Sequence, residues 1–151
     1  MPDSTATKDA VRYLSARTRT EAEVRNHLGK KGYGASEVDD AAARLIEEGL
    51  IGDEDVASRW AQQLAGDDRI GPLKALRKLI QRGVPPALAA KAVDSAWKER
   101  DDASIAYRLA SDAFRGSDEP PKERAAKAAR FLAGKGFSPE DIGKCLRRLS
   151  D

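Results

Sequence analysis

The sequence predicts an all-α protein made of three tandem three-helix repeats that pack end to end in an elongated array. Three observations lead to this fold class. Apolar residues recur at the three- and four-residue spacing of amphipathic helices along most of the chain. Residues that favour helices, such as alanine, leucine, arginine, lysine and glutamate, are abundant. No segment shows the alternation of polar and apolar residues that is typical of a half-buried strand.

The repeat is visible in three similar helix ends, at residues 28–33, 79–84 and 132–137. Each has a leucine, two further residues, a cation, a glycine and a large apolar residue. The cation favours the negative end of the helix dipole, the glycine reverses the chain, and the apolar residue packs back on the helix. The glycines lie 51 and 53 positions apart, at Gly32, Gly83 and Gly136.

This spacing predicts repeats at residues 8–52, 53–100 and 101–151, preceded by a flexible N-terminus at 1–7. A unit of about 50 residues buries only about 60% of its surface and is marginally stable alone. We therefore expect each repeat to cover the apolar ends of its neighbour.

In the first repeat, helices are predicted at about 8–17, 20–31 and 36–48. Residues 20–23, Thr-Glu-Ala-Glu, form a capping box that opens the second helix. Ser36 caps the third, Gly49 ends it, and Leu50 and Ile51 pack against its exit. The residues expected to face inward are Val11, Leu14, Val38, Ala42, Leu45 and Ile46.

The other two repeats follow the same plan. Acidic residues at 53–55 suit the start of the fourth helix, and the fifth starts at Pro72 and ends at Gly83. The sixth runs from 84–86 to about residue 100, and a cap at 138–141 opens the last helix. The residues expected to face inward are Val56, Trp60, Leu64, Leu88, Ala92, Val93, Trp97, Ile105, Leu109, Ala113, Phe114, Phe131, Leu132, Ile142, Cys145, Leu146 and Leu149.

The helix predicted at 72–82 carries the candidate functional site. Its apolar side, which is expected to be sealed inward, comprises Leu73, Leu76, Leu79 and Ile80. Its cations fall on the other side of a helical wheel, and no aspartate or glutamate occurs between residues 70 and 93. Such an uncompensated cationic face suggests an anionic partner, although an ordinary solvated helix exterior is the alternative. The residues predicted to make the contacts are Arg69, Lys74, Arg77, Lys78 and Arg82.

Composition narrows the possible functions. The 151 residues carry a net charge of +2, which by itself does not indicate nucleic-acid binding. No apolar run approaches the roughly 20 residues of a membrane span, and the N-terminus lacks the apolar core of a secretory signal. The lone Cys145 is expected to be a reduced structural thiol. These observations favour a cytoplasmic protein without a membrane partner.

The residue types that carry catalysis are scarce. His27 is the only histidine and Cys145 the only cysteine, so no pair has metal-ligand spacing. No glycine-rich phosphate loop follows a strand. The acid pairs at 39–40 and 101–102 lie near helix starts, where the helix dipole explains them. We predict no catalytic residue, no metal, no cofactor and no enzymatic activity.

The sequence resembles the RecX family, which comprises bacterial regulators of the RecA recombinase. The likeness begins with residues 13–15 (Tyr-Leu-Ser), Arg17, 20–23 (Thr-Glu-Ala-Glu), Leu28 and 31–33 (Lys-Gly-Tyr). It continues through Leu45, 49–51, Asp53, Ala57, Trp60, Arg69, 71–72, Leu76, Leu79 and Gly83. It covers roughly residues 8 to 97. The third repeat keeps only the residues that start and end its helices.

The resemblance implies a curved, all-helical protein that binds in the groove of the RecA–DNA filament. It implies modulation, usually inhibition, of the recombinase, ATPase and coprotease activities of RecA in DNA repair and the SOS response. The chain departs from the family pattern twice. Gln62 and Gln63, followed by Asp67 and Asp68, stand where basic residues are usual, which weakens a DNA contact there. Lys78 replaces an acidic residue, which enlarges the basic face.

Two function hypotheses follow. The first is a monomeric, non-enzymatic modulator that binds the RecA filament, with or without contact to single-stranded or double-stranded DNA. The second is a stand-alone helical DNA-binding module that acts without RecA, since three-helix units often present a recognition helix to a groove. An enzyme whose site the sequence hides is a weaker third.

Overall fold

A computed structural model describes residues 4–150, which form nine α-helices and no strand. The helices are α1 (Thr5–Ala16), α2 (Glu21–Lys30), α3 (Ala35–Glu47), α4 (Asp53–Ala65), α5 (Pro72–Gln81), α6 (Pro86–Trp97), α7 (Asp102–Ala113), α8 (Pro121–Gly134) and α9 (Pro139–Ser150). The predicted all-α class is therefore confirmed. Residues 1–3 of the predicted flexible N-terminus (1–7), and residue 151, lie outside the described residues.

The three repeated helix ends have the same local structure. Gly32, Gly83 and Gly136 adopt φ angles of 96°, 102° and 91°, which L side chains rarely tolerate. In each copy the apolar residue after the glycine donates its N–H to the carbonyl of the leucine five positions earlier. The donor–acceptor distances are 3.3 Å for Tyr33 to Leu28, 3.0 Å for Val84 to Leu79 and 3.1 Å for Phe137 to Leu132. This is the Schellman helix end, so the predicted chain reversals are confirmed.

Two helix starts differ from the sequence prediction. Helix α1 begins at Thr5 instead of about Lys8, because the Ser4 hydroxyl caps it and accepts from the Thr7 N–H at 3.1 Å. Helix α3 begins at Ala35, so Gly34 takes the N-cap position that was predicted for Ser36. The capping box at Thr20 is confirmed, because its hydroxyl accepts from the Glu23 N–H at 3.0 Å.

The chain divides into two compact units. One comprises residues up to Trp60 together with Leu79–Ala92, and the other comprises Ala61–Lys78 together with residues from Val93 onward. Helices α4, α5 and α6 each contribute residues to both units. The repeat boundaries at 52/53 and 100/101 stay a prediction.

Each unit has its own apolar core. In the first, α1, α2 and α3 bury residues that include Ala10, Val24, Leu28, Ala41 and Leu45. In the second, α7, α8 and α9 bury residues that include Ala106, Ala110, Ala128, Leu132, Phe137, Ile142 and Cys145. Burial raises the pKa of the Cys145 thiol, which keeps it protonated at neutral pH.

Several apolar residues that were predicted to face inward are exposed. They are Val11, Ile46, Leu73, Ile80, Ala113 and Leu149. In α1 the buried positions are taken by small residues, Ala6 and Ala10, so the inward face is turned away from Val11. Trp60 and Trp97 are buried as predicted, whereas Phe114 and Phe131 are half-buried and meet edge to face at 5.8 Å.

Candidate partner-binding site on α5

Hydrogen bonds from α5 to the end of α8 fix the first turn of α5 within the second unit. The Gly71 N–H donates to the Lys135 carbonyl at 2.8 Å, and the Leu73 N–H donates to the Gly136 carbonyl at 2.9 Å. These acceptors satisfy N–H groups that a helix start leaves unpaired. A methyl group on Gly71 would overlap the Gly136 carbonyl, so only glycine allows this approach.

The end of α5 is fixed within the first unit. The Thr20 hydroxyl donates to the Arg82 carbonyl at 3.0 Å. The next residue, Gly83, lies so close to α2 that an added methyl group would come within 2.7 Å of the Ala22 Cβ. Local hydrogen bonds and close packing therefore hold both ends of the candidate helix.

The buried face of α5 is narrower than the sequence predicts. Ala75 and Leu79 are buried and Leu76 is half-buried, whereas Leu73 and Ile80 are 43% and 40% exposed. Positions 75 and 79 are one helical turn apart and define the centre of the buried face. Leu73 and Ile80 lie at its flank, so the prediction that all four large apolar residues are sealed inward is wrong.

The cations of α5 differ in their exposure. Arg77 and Lys78 are exposed, and Lys74 is half-buried because its backbone approaches Gly136. None of these cations forms an ion pair with any residue in the range 4–150. Three uncompensated positive charges therefore lie on the part of α5 that belongs to the second unit.

Arg82 is not part of a uniformly exposed stripe. Its side chain is half-buried, and its guanidinium carbon lies 3.3 Å from the centre of the Trp60 ring. Burial lowers the pKa of Arg82, the neighbouring charges of Arg17 and Arg19 lower it further, and Glu23 opposes them. Arg82 therefore helps to fix the end of α5, and its role in binding a partner stays a prediction.

Arg69 is exposed but already paired. Its Nε lies 3.1 Å from the Asp67 Oδ1 and its Nη2 lies 3.2 Å from the Asp67 Oδ2. The pairing raises the pKa of Arg69 and lowers that of Asp67. Asp67 thus offsets the charge that was predicted to meet a partner.

Sequence reasoning missed a buried ion pair in the second unit. The Arg100 Nε donates to the Asp102 Oδ1 at 2.8 Å, and the Arg100 Nη1 donates to the carbonyls of Ala65 and Asp67 at 3.2 and 3.4 Å. Arg100 therefore satisfies backbone acceptors at the end of α4. Burial raises the pKa of Asp102 and Arg100 opposes this. No periodic pattern signals a contact between residues 33 and 35 positions apart.

Within residues 4–150, no group of three or more histidine, cysteine, aspartate or glutamate side chains is placed to hold a metal ion. Over the same range, no helix is long and apolar enough to cross a membrane.

Comparison with known proteins identifies the family. A family model described as the first three-helix domain of RecX matches residues 6–45, and one for the third three-helix domain matches residues 100–146. The regulatory protein RecX of Chlorobium limicola is 31% identical over 143 residues, or 93% of this chain and 86% of that protein. The chain belongs to the RecX family. The resemblance seen in the sequence is therefore confirmed.

Two further RecX proteins are similar to this chain, one in sequence and one in fold. The regulatory protein RecX of Chlorobaculum tepidum is 28% identical over 144 residues, which cover 95% of this chain and 88% of that protein. The crystal structure of RecX from Lactobacillus salivarius superposes with a TM-score of 0.85 and covers 96% of this chain and 94% of that chain. The sequence identity to this structure is 23%, so the similarity shows the fold only. It confirms a helical repeat.

Proposed function

We propose that this protein is a non-enzymatic regulator that binds RecA–DNA filaments and inhibits the recombinase, ATPase and coprotease activities of RecA. Membership of the RecX family supports a regulatory role. The evidence for the location of the binding site is the set of uncompensated cations on α5, namely Lys74, Arg77 and Lys78. A filament that contains nucleic acid is the kind of anionic partner that such a surface attracts. The protein then acts as a cytoplasmic monomer in DNA repair and the SOS response.

The mechanism is binding at a surface that is organised before the partner arrives. Hydrogen bonds hold the first turn of α5 at Gly71 and Leu73, so the helix backbone that carries the cations does not have to be ordered on binding. Neither Arg77 nor Lys78 has to break an existing ion pair when it binds a partner, because neither forms one in the described part of the chain. Long-range attraction then speeds association, and the occupied surface obstructs RecA activity.

The anion can be a RecA carboxylate or a DNA phosphate, and salt dependence separates the two. Each lost phosphate contact should reduce the log–log salt slope of binding by about 0.7 for single strands. Replacing Lys78 by alanine should therefore reduce the slope of filament binding by this amount if Lys78 meets phosphate. If Lys78 meets a carboxylate, filament binding weakens while naked-DNA binding is unchanged.

The second candidate is a stand-alone DNA-binding module, which the same exposed cations on a three-helix unit favour. Binding to naked single-stranded and double-stranded DNA, compared with binding to RecA-coated DNA, tests the two functions. A regulator of filaments binds RecA-coated DNA more tightly and slows its ATP hydrolysis. Equal affinity for naked and coated DNA, without an effect on ATP hydrolysis, would favour the stand-alone module.

A further inference from the structure

A second candidate surface lies in the first unit, and its lining includes no residue of α5. An open groove with a volume of about 370 Å³ runs between α1, the turn at residues 49–52 and the first half of α4. Its apolar wall includes Val11, Leu14, Leu50 and Val56. Val11 and Leu50 are 42% and 50% exposed, so two large apolar side chains face water here. Leu50 and Ile51 were both predicted to pack against the exit of α3, but only Ile51 packs inward, so the prediction is wrong for Leu50.

The same groove has a cationic wall. Arg19 and Arg59 line it, and Asp55 is its one acidic lining residue among those described. Arg59 is exposed and forms no ion pair with any residue from 4 to 150. The groove therefore combines apolar surface with the cation of Arg59, which forms no ion pair, while the charge of Arg19 is offset by Glu23.

The Arg19 side chain is held in place and still has hydrogen-bonding capacity. Its guanidinium carbon lies 4.3 Å from the centre of the Tyr13 ring, which stacks in parallel on His27 at 3.8 Å. Its Nη1 lies 3.6 Å from a Glu23 carboxylate oxygen. Its buried Nε has no hydrogen-bond acceptor in the described range. The Arg19 side chain is 17% exposed, so a partner would meet its accessible edge and not the buried Nε.

We propose that this groove docks a segment of the protein partner in which a large apolar side chain lies next to a carboxylate. The apolar side chain would cover Val11 and Leu50, and the carboxylate would meet Arg19 and Arg59. This inference rests on the proposed function, which makes RecA the partner. Charge complementarity selects an acidic segment, and the exposed apolar wall requires a side chain that a sugar–phosphate backbone does not offer.

A nucleic acid fits the groove less well than a peptide. Bases bind single-strand proteins by stacking on free aromatic rings. Here Tyr13 is already stacked with His27 and covered by Arg19, and the neighbouring Trp60 is only 7% exposed. Phosphates could meet the arginines but would leave the apolar wall uncovered.

The first arm of the test is independent of RecA. The purified chain is titrated with N-acetyl-Leu-Glu-amide and, as the matched control, N-acetyl-Leu-Lys-amide, while amide shifts are followed by NMR. The glutamate probe should shift the amides of Val11, Leu50, Val56 and Arg59 and the Nε–H of Arg19, and the lysine probe should shift them far less. No shifts at these residues, or equal shifts with both probes, would overturn the proposal.

The second arm measures the affinity of groove variants for RecA filaments. Leu50→Asp and Arg59→Glu should each weaken binding about tenfold or more. The matched controls are Ile46→Asp, which changes an apolar residue that is 45% exposed outside the groove, and Lys30→Glu, which changes an exposed cation on α2. Both controls should bind like the wild-type chain.

Three outcomes of the second arm oppose the proposal. Wild-type affinity of both groove variants would exclude the groove as the docking site. An equal loss of binding to naked single-stranded DNA would assign the groove to nucleic acid. If the wild-type chain does not bind RecA at all, the proposed function fails and RecA is excluded as the partner, while the dipeptide titration still decides what the groove binds.

Discussion

The guanidinium carbon of Arg82 lies 3.3 Å from the centre of the Trp60 ring, while the carbonyl of Arg82 accepts a hydrogen bond from Thr20 at 3.0 Å. One residue is thus held at both its side chain and its backbone. Because Arg82 follows the last residue of α5, these contacts fix the end of the helix within the first unit. A cation that was predicted to face a partner has a structural role as well.

Replacing Arg82 by alanine should therefore reduce stability. A partly desolvated cation–π contact contributes about 0.5–2 kcal/mol, and the packed arginine stem adds to this loss. We expect the free energy of unfolding, measured in urea, to fall by about 1–2 kcal/mol. The exposed Lys78→Ala is the control and should change stability by less than about 0.5 kcal/mol. Equal effects of the two changes would mean that the contact with Trp60 does not stabilise the fold.

Replacing Gly71 by alanine should destabilise the second unit. Its methyl group would overlap the Gly136 carbonyl, and forced overpacking of this kind costs about 1–3 kcal/mol. The control is Gly134→Ala in α8, where an added methyl group meets nothing within 4 Å. That change should be neutral or stabilising by up to about 1 kcal/mol, because alanine suits a helix better. Thermal unfolding of both variants checks this, and a Gly71→Ala protein as stable as wild type would contradict the close approach of Gly71 and Gly136.

The buried carboxylate of Asp102 should leave a signature in the pH dependence of stability. Burial raises its pKa above the usual value near 3.8, so the folded protein binds this proton more tightly than the unfolded chain does. The contribution of Asp102 to the free energy of unfolding is then greatest at low pH and falls as the pH rises through the raised pKa. The stability of the wild type minus that of Asp102→Asn should therefore fall as the pH increases from about 4.

Asp101 provides a control of opposite sign. Hydrogen bonds from Ser104 lower the pKa of its carboxyl, so its stabilising contribution is present above the usual pKa and is lost as the pH falls. The difference between wild type and Asp101→Asn should thus increase with pH. Parallel pH profiles for the two variants would contradict a raised pKa of Asp102.

Local hydrogen-bonding features of this fold could be predicted from the sequence. The cap at Thr20 and the reversal at Gly83 depend on a few neighbouring residues, and both occur as expected. The exposure of Leu73 depends on which neighbouring helices cover α5, and a helical wheel does not contain that information. The start of α1 was missed because its buried residues, Ala6 and Ala10, give a weak apolar signal.

The candidate site could be predicted only in part. The absence of acids between residues 70 and 93 correctly indicated cations without local partners, as Arg77 and Lys78 show. The pairing of Arg69 was missed although Asp67 is only two residues away, because the acid lies outside that segment. The groove beside Leu50 brings together residues from α1 and α4, which no local pattern reveals.

Charge reversal on α5 should abolish much of the binding to RecA filaments. The variant replaces Lys74, Arg77 and Lys78 together by glutamate. It keeps the helix propensity of α5, because glutamate is also a good helix former. The matched control reverses three cations without ion pairs in the described range, Lys8, Lys122 and Arg130. Filament binding should fall by about tenfold or more in the first variant only. A folded α5 variant with wild-type affinity would exclude this helix as the contact surface.

The ATPase activity of RecA on single-stranded DNA tests the central claim most directly. The purified wild-type chain is titrated into assembled filaments, and the rate of ATP hydrolysis is followed. Inhibition should appear at less than one copy per RecA protomer, and the α5 charge-reversal variant should inhibit far more weakly. An unchanged rate across the whole titration, with binding to naked DNA intact, would contradict a role as a regulator of RecA filaments.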